Sequence, residues 1–166
     1  MPTLKERDDM AEKAREVLET LLTMMGVTAS VVPQSKPSVE GEQGATAPIA
    51  FNIEGDDLGI LIGRRGQTLA CLQYLVRLIV AYQVKAWMPI IIDVEGYKQR
   101  RYEALQALAW RIAERVKIKG VSFTLEPMPA YERRIIHMAL ADHPDVTTQS
   151  TGVDEARRVI ILLREG

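Results

Sequence analysis

Residues 58–69 read Leu-Gly-Ile-Leu-Ile-Gly-Arg-Arg-Gly-Gln-Thr-Leu, and the Gly63-Arg64-Arg65-Gly66 tetrapeptide inside them constrains this chain more than any other stretch. It joins two apolar segments of helical pattern. Glycine tolerates backbone conformations that other residues avoid, and it lets the main chain approach a ligand closely. The helix that follows starts with unpaired N–H groups and the positive end of its dipole. Two guanidinium groups add charge suited to phosphate oxygens. Such an assembly can grip a sugar-phosphate backbone without reading its bases. Alone, a G-x-x-G tetrapeptide marks only a tight turn, so its setting decides.

That setting is an ordered alternation of helical and extended patterns. Thr3 and Glu6 have the spacing of a capping box, and Met10, Ala14, Val17, Leu18, Leu21, Leu22 and Met25 then form a helical stripe that stops at Gly26. Val27–Pro33 is extended, residues 34–47 are a polar loop carrying Gly, Ser and Pro, and Pro48–Glu54 alternates as a strand. Asp56 is placed to cap a short helix over Asp57–Ile62. After the glycine turn, Leu69, Leu72, Leu75, Val76, Ile79 and Tyr82 mark a strong helix, with Cys71 read as a packing residue within it. Pro89–Val94 is a buried strand. The order to this point is α-β-β-α-α-β.

A second unit begins near Glu95. Tyr102, Leu105, Leu108, Ala109, Ile112 and Val116 give a long amphipathic helix that stops at Gly120, and Val121–Glu126 alternates as a strand. Pro129 opens a helix carrying Tyr131, Ile135, Ile136, Met138 and Ala139. Val146–Thr151 and Arg158–Leu163 are two further strands around a turn with Gly152. This half reads α-β-α-β-β. The fold class is α+β, with one domain over residues 1–94 and a second over residues 95–166.

Charge narrows the functional classes. The formal net charge is −1, which argues against an indiscriminate nucleic-acid coat. Yet residues 97–119 hold Lys98, Arg100, Arg101, Arg111, Arg115, Lys117 and Lys119 against Glu103 and Glu114 alone, while the first helix leans acidic. A local basic surface on a balanced protein fits a defined strand-binding track. One cysteine precludes an internal disulfide and fits a reducing cytoplasm. The charged N-terminus is no secretory signal, and no apolar run is long enough to span a bilayer.

The first half resembles a KH module, which clamps nucleotide backbone with a GXXG loop between two helices of a β-α-α-β core. Residues 48–94 supply that core, and the helix and strand before it make the arrangement similar to the prokaryotic (type II) form. In that resemblance Gly63, Arg64, Arg65 and Gly66 are the phosphate-binding loop. Ile60, Ile62 and Leu69 line the apolar side of the groove where bases rest. Two arginines in the loop, rather than acidic residues, mark a binding-competent copy.

The second half carries Arg133-Arg134-Ile135-Ile136-His137, in which Arg133 and His137 are i and i+4 on one helix face. The R-x-x-x-H spacing resembles the signature of the R-three-H domain. Arginine forks onto phosphate, and histidine can donate to phosphate or stack on a base. Arg157 or Arg158 would extend this surface. Leu125–His137, Thr148–Gly152, Arg157-Arg158-Val159, Asp57–Leu69 and Asp93–Tyr97 together are similar to the Jag family of bacterial proteins across nearly the whole chain. The resemblance implies a cytoplasmic single-stranded RNA-binding protein, an RNA chaperone or post-transcriptional regulator, that lacks the N-terminal Jag domain of many members. It also implies a link to cell elongation and peptidoglycan synthesis, and a small single-KH partner protein; ssDNA is a further ligand of the same chemistry.

No chemistry of another class has a visible home. His137 and His143 are the only histidines, neither stands in an H-E-x-x-H or C-x-x-C context, and there is no Walker-type phosphate loop or nucleophile elbow. The expectation is no enzyme, no metal and no cofactor. A competing reading is an adaptor whose KH domain docks a partner KH protein, with RNA contact incidental; the Met-bearing first helix (Met10, Met24, Met25) would offer the surface.

Overall fold

Helix α1 (Leu4–Met24) buries Ala14, Leu18 and Leu22, whose four-residue spacing sets them on one side. They pack into a core shared with β1 (Ser30–Gln34), β2 (Ile49–Glu54) and β3 (Ile90–Val94). These strands form one sheet in the order β1-β2-β3. Strand β1 runs antiparallel to β2, with Val31 opposite Ile53, and it carries Pro33 on the edge position where a missing N–H costs no ladder bond. Strands β2 and β3 run parallel, with Ile49 opposite Ile90 and Ile53 opposite Val94. A parallel pair needs a crossover. Here it is α2 (Gly59–Ile62), a 3₁₀ turn over Arg64–Gly66 and α3 (Gln67–Val84).

This computed structural model describes residues 4–35 and 48–164. Thr3 of the expected capping box, and all but the first residues of the 34–47 loop, lie outside them. The chain divides into two units, Met1–Gln99 and Arg100–Gly166.

In the second unit, helix α4 (Tyr97–Lys119), which begins in the first, buries Leu105, Ala109, Ile112, Ala113 and Val116. Gly120 ends it in a left-handed conformation, and its N–H returns to the Val116 carbonyl at 2.9 Å. Strands β4 (Phe123–Thr124), β5 (Val146–Thr151) and β6 (Arg158–Leu163) form an antiparallel sheet in the order β4-β6-β5. Helix α5 (Ala130–Ala139) lies between β4 and β5 in sequence and adds Ile136 to a core with Val146, Val159 and Ile161. An ion pair between a half-buried arginine and a buried glutamate ties α5 to α4. Arg101 Nε and Nη2 donate to the two carboxylate oxygens of Glu132 at 2.7 and 3.0 Å, and Glu132 is fully buried.

The α-β-β-α-α-β and α-β-α-β-β orders are as the sequence pattern implies, with local corrections. Asp56 does not cap α2; that helix starts at Gly59 after Leu58, no side chain caps it, and Asp57 stands at φ 53°. The strand expected over Val121–Glu126 is regular only at Phe123–Thr124, ahead of Pro127 and Pro129, which lack ladder donors. Cys71, Leu75 and Tyr82 are exposed instead of packed. The buried positions of α3 are Leu69, Leu72, Val76 and Val80. Because α3 is apolar on most of its circumference, periodicity does not distinguish its inner face from its outer one.

Candidate nucleic-acid interface

The Gly63–Gly66 turn is built from three departures from helical backbone. Gly63 has φ 69° and ψ −172°, Arg65 has φ 54° and ψ 32°, and Gly66 is left-handed at φ 76°. A Cβ on Gly63 would overlap Thr68 Oγ1 and sit 2.7 Å from Thr68 Cβ, so only glycine fits where the chain doubles back over the start of α3. Gly66 is the N-cap of α3 and makes no side-chain cap bond, while the Gln67 N–H donates to the Arg64 carbonyl. The positive end of an 18-residue helix lies directly after the two arginines in the chain. Arg64 is exposed and Arg65 half-buried. The Gly63 N–H is not available to a ligand, because it donates to the Gly59 carbonyl at 3.0 Å.

The residues flanking the turn divide in their roles. Ile60 is 68% exposed and offers an apolar surface one turn before the loop, and Ile62 is half-buried. Leu69, expected in the same groove, is buried in the core and presents no surface. It anchors the first turn of α3 from beneath.

The second set of residues gathers on α5 and β5. Arg133 and His137 share a face of α5, as their spacing requires, and β5 supplies two hydroxyls that complete the cluster. His137 Nδ1 lies 2.7 Å from Thr148 Oγ1, and its Nε2 lies 2.8 Å from Ser150 Oγ. Arg133 Nη1 donates to the same Ser150 oxygen at 3.4 Å, and Arg133 Nε donates to the Met128 carbonyl at 3.3 Å. Each ring nitrogen faces a hydroxyl that can donate or accept, so a neutral imidazole is fully satisfied in either tautomer. Burial, and then the neighbouring Arg133 charge, push the His137 pKa below its ordinary 6.5.

Sequence spacing did not reach Thr148 and Ser150, because they come from another element. Their placement follows from strand register. Ser150 is opposite Val159 and Thr148 opposite Ile161, so both hydroxyls share the face of those core residues. By the same register Arg158, opposite Thr151, projects from the other face of the sheet, away from His137, and its Nε donates to the Ala156 carbonyl at 3.0 Å. Arg157 is extended and exposed just before β6, and its carbonyl accepts the Met128 N–H at 3.1 Å. It continues the Val159 alternation, which puts it on the Ser150 side.

The other histidine is structural. His143 is buried, its Nδ1 accepts the Asp145 N–H at 3.2 Å, and its ring lies 5.1 Å from that of Trp110. Among the described residues, no three His, Cys, Asp or Glu side chains are grouped to hold a metal ion, and no helix is long and apolar enough to cross a membrane.

Both halves match known families. A model described as the R-three-H domain matches residues 103–163, and one described as the KH domain of KhpA/KhpB matches residues 15–92. A protein of Clostridium symbiosum named RNA-binding protein KhpB is 42% identical over 160 residues, spanning 96% of this chain and 69% of that protein. The chain belongs to the KhpB (Jag) family. The KhpB of Bacillus subtilis (strain 168) is 32% identical over 161 residues, 95% of this chain and 73% of its own length. That of Lactiplantibacillus plantarum is 35% identical over 115 residues, 69% of this chain and 36% of its own. In KhpB terms, the Gly63–Gly66 turn lies in the KH region and the Arg133/His137 cluster in the R-three-H region.

Proposed function

We propose that this KhpB-family chain binds single-stranded RNA without catalysing a reaction on it, through a KH domain over residues 1–94 and an R-three-H domain over residues 95–166. The observation that carries the reading is the N-terminus of α3, capped by left-handed Gly66 and set directly after Arg64 and Arg65. Charge, dipole and close backbone approach converge there on one kind of ligand, a phosphate. Ile60 and Ile62 supply the apolar flank on which a base can rest. Arg133 and His137 hold a neighbouring stretch of strand, with Arg157 as the adjoining cation. Two weak grips on one strand reinforce each other through effective concentration.

Backbone contacts dominate such a site, so affinity is salt-dependent and sequence preference modest. The names of the relatives support RNA over DNA as the ligand. The family resemblance extends the proposal to an RNA chaperone or post-transcriptional regulator of the cytoplasm, tied to cell elongation and envelope synthesis and working with a small single-KH partner.

The test is a titration of labelled single-stranded RNA against the unaltered chain, Arg64→Asp/Arg65→Asp and Arg133→Ala/His137→Ala. Aspartate tolerates the left-handed backbone at position 65 better than most residues. Each pair is expected to weaken binding at least tenfold at moderate salt. Unchanged affinity in both would mean that the strand lies elsewhere.

A further inference from the structure

Helix α5 turns about 100° per residue, and the core and the Arg133/His137 cluster use only part of its circumference. Glu132 and Ile136 are buried on one side, followed by Leu140 at the helix end. Next around the helix come Arg133 and His137, which meet β5 through Ser150 and Thr148. Continuing in the same sense, Arg134 is exposed, and Met138 and Tyr131 follow at 65% and 51% exposure. Tyr131 and Met138 are i and i+7, so they lie in one row about two turns apart. Half-buried Ile135 occupies the turn between them.

Exposed apolar side chains scattered singly need no explanation. These two share a row, and Arg134 stands between that row and the Arg133/His137 cluster. Tyrosine offers a rigid ring at low entropic cost, and the methionine thioether is polarizable and packs well against a flat ring. The guanidinium of Arg134 suits a phosphate. Charge on this helix has one sign towards solvent, because its single acid, Glu132, is turned inward onto Arg101. A nucleic-acid strand crossing α5 therefore meets cations first and an apolar, aromatic surface next, with no carboxylate of the helix to repel it. Resting on the reading that Arg133 and His137 hold RNA, we propose that the neighbouring nucleotide stacks its base on Tyr131 and Met138, with Arg134 on the phosphate that joins the two.

The roles divide along the helix. Arg133, His137 and Arg134 act on the backbone, which is the same for every sequence. Tyr131 meets a base, so any preference at this site arises there. A stack tolerates every base, but its strength grows with the size of the face that is covered, and a purine covers more of the ring than a pyrimidine. The platform therefore favours a purine at one step of the strand.

Titrations of the full chain with labelled oligoadenylate and oligouridylate, repeated over a range of salt, test the platform. Tyr131→Ala is expected to weaken oligoadenylate binding about fivefold or more and to narrow the gap between the two oligomers. Its salt slope should be unchanged, because stacking releases no counterions, whereas Arg134→Ala should flatten the slope by about 0.7. Tyr131→Phe keeps the ring and should bind as the unaltered chain does. Arg133→Ala/His137→Ala, measured alongside, reports on the neighbouring grip by itself. Weaker binding in that pair with none in Tyr131→Ala overturns the platform and leaves the grip standing. Weaker binding in Tyr131→Ala with none in the pair supports the platform and removes the grip. Unchanged binding in both overturns both, and an equal loss in Tyr131→Ala and Tyr131→Phe overturns stacking, since the hydroxyl would then be the group that acts.

Discussion

His137 Nε2 and Ser150 Oγ stand 2.8 Å apart, joining the helix that carries the R-x-x-x-H spacing to a strand that the spacing never mentions. The same serine oxygen accepts a hydrogen bond from Arg133 Nη1 at 3.4 Å, so one hydroxyl links both signature side chains. Its removal leaves the imidazole nitrogen without its partner and lets the Arg133 fork drift. A single hydrogen bond contributes about 0.5–1.5 kcal/mol to folding stability, so Ser150→Ala is expected to lower stability by about that amount and to weaken single-stranded RNA binding as the two signature side chains lose their common anchor. The ¹⁵N shifts of the His137 ring should change as Nε2 loses its partner. A ring spectrum identical to that of the unaltered protein would show that Ser150 does not bond the ring.

Acidification should act on this cluster with a definite sign. Burial first, and Arg133 second, hold the folded-state pKa of His137 below 6.5. Above 6.5 the ring is neutral in both states. As pH falls through 6.5 the unfolded chain takes up the proton first, so folding stability declines until the folded-state ring also protonates. A bound phosphate opposes the shift. RNA binding should therefore take up a proton and tighten between pH 7.5 and about pH 5.5, where an ordinary histidine titrates. Urea melts and RNA titrations at both pH values, repeated with His137→Gln, check both slopes; the variant should flatten them.

The Arg101–Glu132 pair gives a stability prediction. Glu132 is fully buried and bound by both arms of the guanidinium. Arg101 itself is 30% exposed, so removing it strands one buried carboxylate, at a cost of about 1–3 kcal/mol. Arg101→Leu should show that loss in chemical denaturation. Arg101→Leu with Glu132→Leu should recover much of it.

Gly63 should tolerate no side chain. Its positive φ and the overlap of any Cβ with Thr68 mean that Gly63→Ala strains the turn, by about 1–3 kcal/mol from the backbone alone. Gly26 shares the positive φ but has nothing near its missing Cβ. Gly26→Ala should therefore be milder in thermal melts, and it should leave RNA affinity unchanged while Gly63→Ala lowers it.

Much of this architecture is legible in the sequence because it is local. Alternation in Ile49, Phe51 and Ile53, helical spacing in Leu105, Ala109, Ile112 and Val116, and the glycines at 63, 66 and 120 each report on their own neighbourhood. The i, i+4 relation of Arg133 and His137 is local too. Thr148 and Ser150 were not legible as site residues, since their position depends on the register of β5 against β6. Register likewise separates Arg157 from Arg158, adjacent residues on opposite faces. Glu132, thirty-one residues from Arg101, looks from sequence like an ordinary first-turn acid of a surface helix. Leu69 and Leu75 are equally apolar, and only the packing of α3 shows that the first is core and the second surface.

The salt dependence of RNA affinity tests the central claim most directly. Each phosphate contact on a single strand contributes a slope of about −0.7 to log K against log salt. The Gly63–Gly66 turn, acting through Arg64 and Arg65 on two phosphates, predicts that Arg64→Asp/Arg65→Asp flattens the slope by about 1.4. A double variant with the slope of the unaltered chain would show that these arginines do not hold the strand.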